Sequence, residues 1–175
     1  MATTTNVPVE EYLRTNYDPD REYVDGALVE RNVGERRHSR LQAILIALLM
    51  AREAQGRFHV YPEQRVRVSA RTTYRIPDVC LMALPYPPEP VFTHPPHLVI
   101  EILSPDDEAA DILEKVADYL KFGVQHVWIP DPYRHRLQVA DRDGLHDRPD
   151  LIVETELAGR VDFGELFAKL DDPSE

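Results

Sequence analysis

The segment Leu98-Val99-Ile100-Glu101-Ile102-Leu103 constrains this chain more than any other. A strand that is apolar at nearly every position is buried on both faces, which places it inside a sheet covered by helices on either side. Glu101 then enters a core. A buried carboxylate is costly unless it meets a cation, a hydrogen-bond network or a proton. The segment Arg75-Ile76-Pro77-Asp78-Val79-Cys80-Leu81-Met82 poses the same problem through Asp78. For either acid alone, an arginine partner is as good a reading as a functional one, and Arg75 lies close to Asp78. Taken together, on strands either side of one loop, the two acids point to a divalent cation. Carboxylates plus water are the donor set of magnesium and manganese.

Around these strands the periodicity gives an ordered series of elements. Residues 1–7 carry no pattern and read as loose. Pro8 to Tyr17 reads as a short helix, with Pro8 in its first turn and Pro19 after its end. Glu22 to Arg31 reads as a hairpin turning at Asp25-Gly26, a pair suited to a type I′ turn. Leu41, Ile44, Leu45, Leu48 and Leu49 form the apolar stripe of a helix from about Arg36 to Ala54, with Gly56 as its stop. Strands are expected over roughly 58–69, 75–84 and 97–103, with the proline-rich Pro85–Pro96 segment as a flap or rim. A second helix runs from Asp107 to Phe122, ended by Gly123, followed by a strand over 126–130. Two more strands, Arg136–Asp141 and Leu151–Glu156, and a helix, Phe163–Leu170, complete the chain. The expected class is α/β (α+β), a mixed sheet flanked by helices in the core order α-β-β-β-α-β.

The chain has 175 residues, which suits one domain over 1–175 with a core of about 36–131. The longest apolar run, Ala43 to Ala51, is too short for a bilayer, nothing at the start resembles a signal peptide, and the expected compartment is the cytoplasm. Cys80 is the lone cysteine, so an intramolecular disulfide and a cysteine-based zinc site are excluded. The net charge of −11 opposes a polyanionic partner. Against this, arginines cluster at Arg36, Arg37 and Arg40 and at Arg65, Arg67, Arg71 and Arg75. Several acids gather near the C-terminus, at Asp162, Glu165, Asp171, Asp172 and Glu175.

Lys115 is the third candidate. Asp111, Lys115 and Tyr119 share one edge of their helix, beside the stripe of Ile112, Val116 and Leu120. From that border Lys115 reaches towards Glu101, or else forms a surface ion pair with Asp111, worth a few tenths of a kcal/mol. His38 stands one turn ahead of the first helix's stripe, where capping or packing is the ordinary role. The other histidines (59, 94, 97, 126, 135 and 146) are scattered in sequence, which speaks against a histidine-rich zinc site. No phosphate-binding glycine loop and no serine-nucleophile elbow is present.

The strings REYVDGALVE, RIPDVCLM, HLVIEILSPDDEAADILEKVADYLKFGVQHVWIPDP and LFAKL, with the His38 helix after the first, form an ordered series. It resembles the Uma-type endonucleases, bacterial proteins of the restriction-endonuclease-like PD-(D/E)xK superfamily, from about Pro8 to Leu170. Pro77-Asp78 matches the "PD" and Glu101 the second acid. Leu103 fills the superfamily's usual lysine position, and Lys115 matches the lysine that Uma-type sequences carry on the following helix. Glu22 and His38 match further recurrent positions. The resemblance implies a restriction-endonuclease-like fold and Mg²⁺- or Mn²⁺-dependent hydrolysis of DNA phosphodiesters. Asp78, Glu101 and the backbone carbonyl of Ile102 would hold the metal. Lys115 would orient water or stabilise the transition state, with Glu22 or His38 positioning water or a second metal. Double-strand cleavage further implies a homodimer. Two alternatives stand beside this: a nuclease-fold binding or assembly module that no longer cuts, and a metal-dependent hydrolase of a smaller phosphoester.

Overall fold

The computed structural model describes residues 6–31, 35–55, 57–69 and 72–171. The helix stop at Gly56, Arg71 of the second basic cluster, the acids Asp172 and Glu175, and residues 1–5 lie outside them. The chain opens with α1 (Val9–Arg14), shorter than the expected helix, with Pro8 at its N-cap. A hairpin of β1 (Arg21–Val24) and β2 (Ala27–Glu30) follows. Asp25 and Gly26 both adopt positive φ, 47° and 95°, as a type I′ turn demands. Asn6 and Val7, expected to be loose, are tied down: Asn6 bridges to Ala27, and the Val7 N–H donates to the Gly26 carbonyl at 2.9 Å.

Next come α2 (Arg36–Glu53), β3 (Phe58–Pro62), β4 (Val66–Arg67), β5 (Thr73–Arg75), β6 (Val79–Ala83) and β7 (Leu98–Ile100). After these run α3 (Ala109–Phe122), β8 (His126–Asp131), β9 (Arg136–Asp141), β10 (Gly144–Asp147), β11 (Ile152–Thr155), β12 (Gly159–Asp162) and α4 (Phe163–Asp171). The main sheet has six strands in the order β10-β9-β8-β7-β6-β3, with β7 and β8 parallel and the other neighbours antiparallel. A four-stranded sheet, β2-β1-β5-β4, stands beside it, and β11 pairs with β12. The class is a mixed α+β fold, with mixed sheets flanked by helices. Among the described residues no helix is long and apolar enough to cross a membrane.

Strand alternation divides the interior in two. Val79, Leu81, Leu98, Ile100 and Trp128 face the side covered by α2 and α4, where Leu41, Leu45, Leu49 and Phe163 meet them. Cys80, Met82, Val99, Val127 and Ile129 face Val116 and Tyr119 of α3. Both faces of the central strands are therefore covered, which is why their sequence is apolar without alternation. Each fully buried leucine of α2 contributes about 1.5–3 kcal/mol by leaving water.

Two expected strands each prove to be two. The 58–69 segment leaves the main sheet after Pro62, turns at Glu63 (φ 48°), and continues as β4 in the smaller sheet. The 75–84 segment crosses back the other way, from β5 to β6. Pro77 lies at that break, where a residue without an N–H cannot extend a ladder. The hairpin strands β10 and β12 were not among the expected elements.

Candidate metal centre

Crossing between sheets places the acids. The antiparallel register of β6 and β7 pairs Val79 with Ile100. Asp78, one residue before β6, is therefore level with Glu101, one residue after β7. The sequence reading put both inside strands; they stand at strand ends, where the ladder has stopped and side chains are free to turn together. Both are buried, at 5% and 3% exposure. The Glu101 N–H still donates to the Trp128 carbonyl at 3.0 Å, which holds that residue against β8.

Asp78 is closely held. Its Oδ1 accepts from Arg31 Nη2 at 2.8 Å, and its Oδ2 accepts from the Ile102 N–H at 2.8 Å and meets His38 Nε2 at 3.2 Å. Gln42 Nε2 donates to its backbone carbonyl at 3.0 Å. His38 shares the buried face of α2 with Leu41, Leu45 and Leu49, so the apolar stripe itself aims the imidazole at Asp78. Arg75, the arginine closest in sequence, pairs elsewhere, with Glu22, Glu114 and Asp118 at 3.0, 2.6 and 2.7 Å. The cation on Asp78 is Arg31.

Glu101 faces α3, as alternation after Ile100 requires. Tyr119 donates its hydroxyl to Glu101 Oε1 at 2.6 Å. Lys115 Nζ lies 3.6 Å from Glu101 Oε2 and 3.6 Å from Glu22 Oε1. The helix edge of Lys115 and Tyr119 thus turns inward, and Lys115 sits between two buried glutamates, the inward alternative to a surface pair with Asp111. Glu22, 1% exposed, also accepts from the Ile76 N–H and from Arg75 Nη1, each at 3.0 Å. The pairing of Tyr23 with Tyr74 sets Glu22 level with Arg75. The smaller sheet in this way delivers Glu22 to the end of the larger one.

The charges divide the two acids. Burial pushes Asp78 up, but the hydrogen bond and charge of His38, the Arg31 guanidinium and the Ile102 N–H outweigh it and hold the carboxyl below its ordinary range. Burial likewise pushes His38 down, and Asp78 more than reverses that. Burial dominates at Glu101, with Asp78 and Glu22 adding to it against Lys115, and its pKa is pushed up to about 7. Lys115 is drawn down by burial and raised further by Glu101, Glu22 and Asp78, so it stays charged.

A void of about 30 Å³ lies among Arg31, His38, Asp78, Glu101, Ile102 and Lys115. That is room for an ion or about two to three waters, by the rule of about 10–15 Å³ for one water. Two buried carboxylates beside such a void form an all-oxygen donor set, which fits a hard divalent cation. Next to it opens a cleft of about 470 Å³, walled by the β1–β2 hairpin, Arg75, residues 106–108 and the first turns of α3. The proline-rich segment, expected as a flap or rim, packs Phe92 against Tyr61 and Tyr86 in the apolar layer on the α3 face, and its residues line neither the void nor the cleft.

A family model, "Uma2: Putative restriction endonuclease", matches residues 9–158. The chain belongs to this family. The Uma2 chain is also similar to a solved structure described as a "putative nuclease belonging to DUF820" from Anabaena variabilis. The TM-score is 0.80 at 22% identity, over 94% of this chain and 99% of that one, and this likeness establishes the fold. No curated protein matches the Uma2 chain significantly.

Sequence reasoning missed Arg31, Gln42 and the hydrogen-bonding role of Tyr119. Arg31 lies 47 residues from Asp78, and only the return of the hairpin to the sheet end joins them. For Tyr119 a signal existed, since it continues the Asp111–Lys115 edge one turn further. Histidines scattered in sequence also converge: His97, His126 and Glu156 offer ligand atoms that all lie within 4.8 Å of one another.

Proposed function

We propose that the protein is a Mg²⁺- or Mn²⁺-dependent endonuclease that hydrolyses DNA phosphodiester bonds. The observation that carries the reading is the pairing of buried Asp78 and Glu101 across the ends of β6 and β7, with charged Lys115 facing Glu101. Asp78, Glu101 and the Ile102 carbonyl would hold the ion. Bound there, it supplies Lewis-acid charge and lowers the pKa of water. Lys115 directs its ammonium at the void, where it orients the attacking water or stabilises negative charge on the phosphoryl oxygens. The attacking water would give up a proton to solvent as its oxygen bonds to phosphorus and the bridging P–O bond breaks, and the leaving oxygen would take up a proton from another water. Glu22 holds Lys115 in place, and Arg75 with the Ile76 N–H holds Glu22, so both act as positioning residues. His38 keeps the Asp78 carboxylate turned towards the void. The reading places the protein in the cytoplasm as one domain over 1–175, dimeric where both DNA strands are cut.

Plasmid incubated with Mg²⁺ or Mn²⁺ should be nicked or linearised by the protein and left intact by Asp78→Ala. Absence of metal-dependent cleavage, or equal cleavage by the variant, would overturn the reading. A second reading, a nuclease fold retained for binding or assembly, draws on the ion pairs that close around Asp78. Calorimetric titration with Mn²⁺ separates the two: binding that disappears in Glu101→Ala goes against the second.

A further inference from the structure

The end of the main sheet opposite the acids holds a separate cluster of side chains. Strands β7 and β8 are parallel, with Leu98 level with His126, so His97 and His126 meet at the strands' N-terminal ends. Their ring centroids are 5.0 Å apart, and the His126 N–H donates to the His97 carbonyl at 3.3 Å. Glu156, the residue after β11, reaches both: its Oε1 is 3.8 Å from His97 Nε2 and its Oε2 is 3.8 Å from His126 Nε2.

These distances exceed a hydrogen bond, and His97 shows the consequence. The residue is 7% exposed, and its buried Nε2 has no hydrogen-bond partner. Buried polar nitrogens rarely go unpaired, and one that does calls for an ion or water. A side-chain hydrogen bond with Gln125 holds the ring, the kind of outer support that orients a metal-binding imidazole. An imidazole lone pair facing carboxylate oxygens across a shared gap is repulsive unless a cation lies between them.

We propose that His97, His126 and Glu156 form a zinc site, with water as the fourth ligand. Two imidazoles and one carboxylate suit Zn²⁺, whereas Mg²⁺ takes oxygen. Tetrahedral bonds of about 2.0–2.1 Å set ligand atoms about 3.3–3.4 Å apart. The 3.8 Å gaps to Glu156 then close by about half an ångström, and the whole set, now within 4.8 Å, by at most about 1.5 Å. Glu156 has the freedom to move, because its side chain is 61% exposed. The site is four residues along the chain from Glu101, roughly 13 Å at strand rise, and is independent of the nuclease reading. Its effect is structural: the ion ties the β11–β12 hairpin to the edge of the central strands.

Zn²⁺ titrated calorimetrically into the full chain, with Mg²⁺ in excess to fill the acid pair, tests this. One Zn²⁺ should bind per chain, and Glu156→Gln and His126→Gln should each weaken it by about tenfold or more. Asp78→Asn should leave it unchanged. Zn²⁺ at about a hundredfold its dissociation constant should raise the melting temperature by roughly 5–10 °C in the parent and not in Glu156→Gln. Circular dichroism of the variants establishes that they fold, which is expected because both positions are at least partly exposed. Zn²⁺ affinity unchanged in the two ligand variants, or lost in Asp78→Asn, overturns the proposal.

Discussion

Glu101 titrates at about 7 where an ordinary glutamate titrates at 4.5, because the fold removes it from water and sets other carboxylates nearby. The folded protein therefore holds this proton more tightly than the unfolded chain does. That favours folding in acid, and the advantage is lost as pH rises from 4.5 to about 7; above it the ionised carboxylate opposes folding. Glu101→Gln should thus stabilise the protein at pH 8 by on the order of 2 kcal/mol and change little at pH 5. Urea unfolding at the two pH values checks this, and an equal gain at both would remove the carboxylate as its cause. On the proposed reading, a cation at Glu101 would displace the same proton. Mn²⁺ affinity of the parent should rise about tenfold per pH unit below 7 and level off above it. Glu101→Gln should bind weakly, with no such rise. An affinity for Mn²⁺ that is flat with pH in the parent would place the ion elsewhere.

The element that carries Lys115 and Tyr119 depends on how α3 ends. Gly123 adopts φ 109°, its N–H returns to the Tyr119 and Leu120 carbonyls, and the Val124 N–H closes on Tyr119 at 3.0 Å. A Cβ at this position would meet Pro95 at 3.5 Å, an ordinary contact, so the cost of Gly123→Ala is conformational. It should lower stability by about 1–2 kcal/mol, seen as a reduced melting temperature. No loss would mean the end of α3 relaxes without strain. This stop was legible in the sequence, as were the stripe of α2, the Asp25-Gly26 turn and the order of strands about the two acids. The sheet crossings were not, because the pattern of a strand does not say which sheet it joins, although Pro62-Glu63-Gln64-Arg65 interrupts the first segment. Pro77 marked one crossing, and it was read only as part of a motif. Hairpin β9–β10 carried a signal too: Asp143-Gly144 is the same dipeptide that was recognised at Asp25-Gly26. At the centre, the acids and Lys115 were legible because a charge in an apolar run stands out. Arg31 and the His97–His126 pair were hidden, since long-range pairing alone brings them to their partners.

Over the whole molecule, charge is the property least suited to a DNA substrate. The net charge is −11, and three of the arginines clustered in the sequence already have partners within the protein. Arg75 is enclosed by three acids, Arg65 lies over the Tyr12 ring at 4.4 Å, and Arg37 pairs with Asp171. The cleft beside the void is rimmed by Asp106, Asp107, Glu108 and Asp111, at the start of α3. Acids there complement the positive end of the helix, each by about 0.3–1 kcal/mol, so they have a structural use that conflicts with binding phosphates. If DNA enters by this cleft, the rim repels it, and Asp106→Asn, Glu108→Gln and Asp111→Asn combined should relieve that repulsion. Asp107 is left in place because its Oδ2 accepts the Ser104 N–H at 2.7 Å. The triple variant should melt slightly earlier than the parent yet cleave plasmid with KM lowered by roughly tenfold at low salt. Because exposed charges are screened, that difference should shrink as ionic strength approaches 1 M, where the Debye length is about 3 Å. Equal KM values for parent and variant at every salt concentration would exclude the cleft as the route by which DNA reaches Asp78 and Glu101.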